Sequence, residues 1–137
     1  MKVLFIAGYG PITTDTQESE AFYSKSLGIS FKEEDDGYLH TEELAGVKTF
    51  AIWPLSQAAE SCFGTNIWPA HLPTPTSWLE FDVEDIAEAS DELKARGYTL
   101  LLALRKEPWG QTVTRLLSPE GILVGLTYTP WMRESKS

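Results

Sequence analysis

The stretch Asp15-Thr-Gln-Glu-Ser-Glu-Ala-Phe-Tyr-Ser-Lys-Ser-Leu-Gly28 decides the fold, because the chain uses its pattern twice. Thr14 or Asp15 offers a side-chain oxygen to cap the first amides of a helix. Glu18 and Glu20 follow, where the positive end of the helix dipole favours them. Ala21, Phe22 and Leu27 stand near helical spacing, and Gly28 supplies the stop. At an offset of 70 residues, Asp85-Ile-Ala-Glu-Ala-Ser-Asp-Glu-Leu-Lys-Ala-Arg-Gly97 repeats the plan. There Ile86, Ala89 and Leu93 form the apolar stripe, with Glu88, Asp91, Glu92 and Lys94 outside it.

Strand patterns surround each helix in the same order. Before the first, residues 3 to 8 form a continuous apolar run that Gly8-Tyr9-Gly10-Pro11 breaks. After it, Ile29 to Lys32 is extended and Asp35-Asp36-Gly37 signals a hairpin. Tyr38 to Thr41 and Val47 to Trp53 are strands, the latter ended by Pro54. Around the second helix, the strands are Trp78 to Val83, Tyr98 to Leu104, Val113 to Leu117 and Ile122 to Tyr128. Pro108-Trp109-Gly110 and Ser118-Pro119-Glu120-Gly121 are turns. The turn Ala45-Gly46 answers Glu120-Gly121 at an offset of 75 residues. Between the copies, Pro54, Pro69, Pro73 and Pro75 mark a different texture. Ser56 to Cys62 has the makings of a short helix, and Gly64 to Ser77 is a linker or a long functional loop. Residues 130–137 look like a tail.

An internal repeat of this kind implies an α+β fold of two tandem βαβββ modules, about 1–60 and about 74–130, joined by the Pro-rich segment. The 137 residues make one domain, long enough to bury a core without a disulfide or a structural metal. Each small sheet covers one face with its helix, and two sheets side by side curl to enclose a cup with the others. With 11 Lys plus Arg against 20 Asp plus Glu, the net charge is −9, which argues against nucleic acid and anionic membranes as partners. Cys62 is the only cysteine, so neither an internal disulfide nor a cysteine-rich zinc site is expected. No apolar run approaches a membrane span, and the N-terminal run is too short for a secretion signal. A cytoplasmic location is expected.

The chain resembles the glyoxalase/bleomycin-resistance/extradiol-dioxygenase superfamily, the vicinal oxygen chelate proteins. Asp15 to Tyr23 followed by Leu27-Gly28 resembles that family's first-helix pattern, with its Phe-Tyr pair and Leu-Gly stop. Pro108-Trp-Gly-Gln111 followed by Leu117-Ser-Pro-Glu-Gly121 resembles its second-module signature. The family hosts lyases, epimerases, dioxygenases, thiol transferases and drug-binding proteins, so the likeness speaks for fold and not for reaction. Metal-dependent members hold a divalent ion with His, Gln or Glu. The resemblance places those positions on Gly8, Trp78, Gly125 and the neighbourhood of Phe50 to Trp53, none of which can ligate. His40 and His71 fall at none of them. The implied branch is the metal-free one, in which a homodimer sequesters antibiotics in clefts lined by aromatic and acidic groups; no cofactor is expected.

Strand parity then proposes a pocket. If Gly8 faces the cup, so do Leu4 and Ile6, while Ala7 turns to the helices; Trp78 brings Glu80 with it, and Gly125 brings Leu123 and Thr127. The candidate ligand-binding residues are Tyr38, His40, Trp53, Phe63, Trp68, Trp78, Glu80 and Trp109. Each has a structural alternative: Trp78 as core, Phe63 and Trp68 as covering hydrophobes, Trp109 as part of a turn. Tyr38 and His40 share a strand face that is either the cup or the outside. The function expected is metal-independent binding of a planar aromatic or cationic small molecule. The alternative is an enzyme of the same superfamily, lyase-, isomerase- or dioxygenase-like, metal-free or with atypical ligands; His40 or Glu80 would be its base, and no paired acid/base set stands out.

Overall fold

The computed structural model describes residues 1–34 and 37–133. Asp35 and Asp36 of the expected hairpin, and the end of the expected tail, lie outside the described residues. The elements are β1 (Val3–Thr13), α1 (Thr16–Glu20) continuing as a π-helical stretch (Ala21–Ser26), β2 (Lys32–Glu34), β3 (Tyr38–Thr41), β4 (Phe50–Pro54), α2 (Leu55–Phe63), β5 (Ser77–Val83), α3 (Ile86–Ala95), β6 (Leu102–Lys106), β7 (Thr112–Leu117) and β8 (Leu123–Tyr128). A 3-10 turn at Pro130–Met132 follows. The strands form one sheet in the order β2-β3-β4-β1-β5-β8-β7-β6. The two halves of that order correspond: β1 runs parallel to β4 and β5 parallel to β8, and β1 and β5 join them antiparallel. The repeat in the sequence is therefore a repeat in the sheet, and the two halves pair within one chain.

Both helix caps form as the sequence implies. The Asp15 carboxylate accepts from the Glu18 amide, and the Asp85 carboxylate from the Glu88 amide. Apolar residues divide between two cores. Val83, Ala89 and Leu126, flanked by Phe81, Ile86 and Leu93, seal α3 onto one face of the sheet. On the opposite face, α2 and the Pro-rich segment bring Ala58, Ala59, Cys62 and Trp68 against Ile12, Ala51, Trp78 and Leu123. So α2, one residue longer at each end than its sequence pattern, plugs part of the cup.

Several sequence expectations need correction. The first strand does not stop at Gly8 but runs to Thr13, straight through Gly-Tyr-Gly-Pro. The glycines serve close packing rather than a turn: a Cβ on Gly10 would sit 1.8 Å from the Ala51 carbonyl oxygen. Pro11, which cannot donate, pairs with Ser77 where β1 borders β5. Irregularities in the pairing between Val3 and Phe5 and between Ile6 and Gly8 shift the parity of β1. Ala7 consequently lines the cup side, and Leu4 and Ile6 are exposed, opposite to simple alternation. β2 and β6 lie later than their expected ranges. β6 carries its own register shift, with Leu104 at φ +54. Residues 130–133 are not a loose tail. Buried Asp82 accepts from the Thr129 amide and hydroxyl, the Thr127 hydroxyl and Arg133 Nε, which clamps this segment to β5.

Gly10→Ala is expected to force β1 and β4 apart and to cost about 3 kcal/mol, as overpacking of a closed backbone contact does. Urea unfolding of the variant beside the parent measures it.

Candidate functional site

Strand register builds the site. Gly8, Glu80, Gly125 and Arg115 are lateral neighbours on β1, β5, β8 and β7: Gly8 pairs with Glu80, Glu80 with Gly125, and Gly125 with Arg115. All lie on the concave face with Trp78 and Leu123, which pair two residues further along. Gly125 leaves a trough between its neighbours. Glu80 and Arg115 reach across it and meet, Arg115 Nη2 lying 3.0 Å from Glu80 Oε2. A Cβ at 125 would approach Glu80 Cγ to 3.0 Å and Arg115 Nη1 to 3.3 Å. The pair is secluded, with side-chain exposures of 4% and 12%.

Around this pair lies a cleft of about 1170 Å³, walled by residues of both halves of the sheet and by α2. Trp53 covers the guanidinium, its ring centre 4.8 Å from Arg115 Cζ, and meets Trp78 edge to face. The Trp78 indole donates to the Ala51 carbonyl, which fixes its plane. Gln111 ties the far side together. Its amide donates to the Thr129 hydroxyl at 3.0 Å and reaches Glu80 Oε1 at 3.4 Å, while its carbonyl accepts from the Trp109 indole. Through Thr129 this chain of bonds continues to buried Asp82. On β3, Tyr38 stacks on His40, whose Nδ1 lies 2.8 Å from Glu42 Oε2 and whose Nε2 lies 3.6 Å from Glu34 Oε1.

Charge in the cleft is mixed. Glu34, Glu42, Glu60, Glu80 and Glu107 outnumber Lys48, Arg105 and Arg115. Burial pushes the Tyr38 phenol well above its ordinary range, and the Glu80 and Glu42 carboxylates add to this while Arg115 opposes it. The Cys62 thiol is likewise raised by burial, so it is not an activated nucleophile.

Of the eight candidate residues from the sequence, Tyr38, His40, Trp53, Trp78, Glu80 and Trp109 line the cleft. The face shared by Tyr38 and His40 is the cup face. Trp78 is both wall and core, since it also packs in the α2 cluster. Phe63 and Trp68 are not among the residues lining the cleft: Phe63, at the end of α2, packs edge to face on Trp68 of the linker, and the Trp68 indole donates to the Pro73 carbonyl. His71 is exposed in that linker. Sequence reading missed Arg115 and Gln111, and also Trp131, which stands with Met132 at the cleft rim. The signal for Arg115 was present, as a cation at an inward position of a strand otherwise read as buried.

The metal site of the family does not fit these residues. A side chain at position 8 would collide with Trp78, because a Cβ there would lie 2.6 Å from the indole Cη2. At position 125 the space belongs to Glu80 and Arg115. Among the described residues, no group of three or more His, Cys, Asp or Glu is placed to hold an ion.

A curved sheet of two corresponding βαβββ halves, with a cleft across their seam, defines the class of paired-module cup proteins. A family model described as the Glyoxalase/Bleomycin resistance protein/Dioxygenase superfamily matches residues 9–126, and the chain belongs to that superfamily. A superfamily member from Vibrio splendidus is similar in structure, with TM-score 0.60 and 18% identity over 89% of this chain and 96% of its own. A Legionella pneumophila structure described as an NAD-dependent benzaldehyde dehydrogenase gives 0.58 and 14%, covering 88% and 96%. Streptomyces coelicolor methylmalonyl-CoA epimerase, in complex with 2-nitronate-propionyl-CoA, gives 0.52 and 13%, covering 94% and 99%. At these identities the likeness shows the fold alone. A search of curated proteins finds no significant match.

Two outcomes test the geometry. Arg115→Met leaves the Glu80 carboxylate buried without its partner and is expected to cost about 3–5 kcal/mol; Glu80→Gln with Arg115→Met removes both charges and restores most of it. Denaturant midpoints of the single and double variants give the comparison. The raised Tyr38 pKa acts on alkaline stability. The unfolded phenol ionises near 10.0 and the folded one does not, so this contribution is intact below pH 10 and is lost as pH rises above it. Tyr38→Phe should flatten the fall in melting temperature above pH 10.

Proposed function

We propose that the chain is a metal-independent binding protein that takes a planar aromatic or cationic small molecule into this cleft. The observation that carries the reading is the content of the family's ligand positions. Trp78 and the Glu80–Arg115 pair fill the space beside Gly8 and Gly125, so the floor offers ring faces and charges where metal-dependent relatives offer ligands. Trp53, Trp109 and Trp131 add ring surface along the walls and rim. Trp109 and Trp131 are 60% and 48% exposed, so a flat ligand has rings to cover at the mouth. The surplus of carboxylates favours a cation over an anion. We also propose that two copies associate; exposed Val3, Leu4, Ile6 and Tyr9 on β1 are a surface that association would cover. A cytoplasmic setting accords with one reduced, buried cysteine.

A second reading has its own observation. The His40–Glu42 contact is the arrangement that orients an imidazole as a general base, and it opens on the cleft. On that reading the chain is a metal-free enzyme of the superfamily, lyase- or isomerase-like.

Titration with a panel of planar antibiotics separates the two. Binding predicts saturable quenching of Trp fluorescence, unchanged by a chelator, with the compound recovered intact. Recovery of a converted product that is lost in His40→Gln establishes the enzyme instead. Stoichiometric nickel, zinc, manganese or iron in the purified protein overturns the metal-independent reading, and a monomer by light scattering overturns the association.

A further inference from the structure

Arg115 is the group in the cleft whose bonding is least complete. A guanidinium carries five N–H donors. Here Nη2 meets Glu80, while Nε and Nη1 are buried and have no hydrogen-bond partner. Buried donors without acceptors are costly, and proteins keep them where something else supplies the acceptor. Nothing on the neighbouring strand supplies one, because Gly125 has no side chain and its place is the trough that admits the guanidinium. Trp53, half-buried on the cleft wall, lies over the guanidinium face. The N–H bonds lie in the guanidinium plane, so a flat ligand that displaces the indole meets them only with an acceptor atom at its own edge.

The surrounding charge selects the acceptor. Glu80 already neutralises Arg115, and Gln111 holds the carboxylate in place on its other oxygen. The remaining lining is acidic on balance. A ligand carboxylate would meet repulsion that the neutralised Arg115 does not offset. A ring with no acceptor would leave both N–H groups unpaired. An uncharged carbonyl conjugated to the ring accepts from the guanidinium without adding charge, and it stays in the plane that the aromatic walls favour.

We propose that Arg115 is the anchoring residue of the cleft, and that its ligands are planar aromatic compounds presenting an uncharged, conjugated carbonyl oxygen. This rests on the binding reading above and deepens it. The Glu80–Arg115 pair then has two duties: it joins β5 to β7 across the sheet face, and it presents two donors to a ligand.

A matched set of probes tests it: 9-fluorenone, fluorene, fluorene-9-carboxylate and 9-aminofluorene, by equilibrium dialysis against the full chain. The carbonyl compound is expected to bind about tenfold more tightly than fluorene, the worth of one to two well-placed hydrogen bonds. It should also bind more tightly than the carboxylate. In the Glu80→Gln, Arg115→Met double variant the advantage of fluorenone over fluorene should vanish, with fluorene binding retained. Arg115→Lys gives the same readout if the double variant fails to fold, since lysine keeps the ion pair and loses the planar fork. Equal binding of fluorenone and fluorene, or an advantage that survives in the variants, overturns the inference while leaving the binding reading intact. Tightest binding of the carboxylate or of the protonated amine overturns the choice of an uncharged acceptor. Failure of all four probes to bind overturns the binding reading together with the inference.

Discussion

The ion pair between Glu80 and Arg115 crosses the cleft floor at Gly125, where a side chain would crowd both partners. One strand, β8, separates the pair, so their backbones stand two strand spacings or about 10 Å apart, and a Cβ on that strand would crowd both side chains. With glycine there, the two side chains close over the backbone and satisfy each other in a setting neither could enter alone. The cleft takes its shape from this contact. Trp53 rests on the guanidinium, Gln111 reaches the carboxylate, and the Tyr38 phenol feels both charges.

The same strand face explains how the cup is divided. At one end, Trp78 and Leu123 meet the apolar side of α2 and Trp68, making a core. Two residues along, Glu80 and Gly125 make the cleft floor. Two further, buried Asp82 and Thr127 anchor the segment that ends in Arg133. Successive inward positions on β5 therefore serve packing, the site and a structural clamp. The clamp also positions Trp131 and Met132 at the rim, so the stability of the C-terminal turn and the shape of the mouth are coupled through Asp82.

The fold was largely legible in the sequence. Asp15 and Asp85 each begin a helix by a local bond, and a bond within three residues is visible in one dimension. The two-module plan followed from the repeat; that the two halves pair with each other within one chain did not, since it rests on the β1–β5 contact. The site was legible in part. Trp78 and Glu80 share a strand face by simple alternation, and the structure puts both on the cleft. Alternation failed on β1, where register irregularities turned Ala7 inward and left Leu4 and Ile6 exposed. It also could not say that Gly-Tyr-Gly-Pro continues a strand, since the reason for Gly10 is a carbonyl on another strand 41 positions away, at Ala51. Phe63 and Trp68 read like a ligand cover because they lie in a long loop; they pack instead, because α2 brings them over an apolar part of the sheet.

By itself the sequence determined what local bonds and periodicity control, the capped helices and the two-module plan, and its motifs carried the likeness to the superfamily, which assigns metal positions to Gly8, Trp78 and Gly125. Only the tertiary structure decided what fills the space beside Gly8 and Gly125. Arg115, Gly125 and Glu80 are distant in the chain and adjacent across the sheet. Their relation is set by strand register, which depends on every pairing between them, and no local pattern carries it.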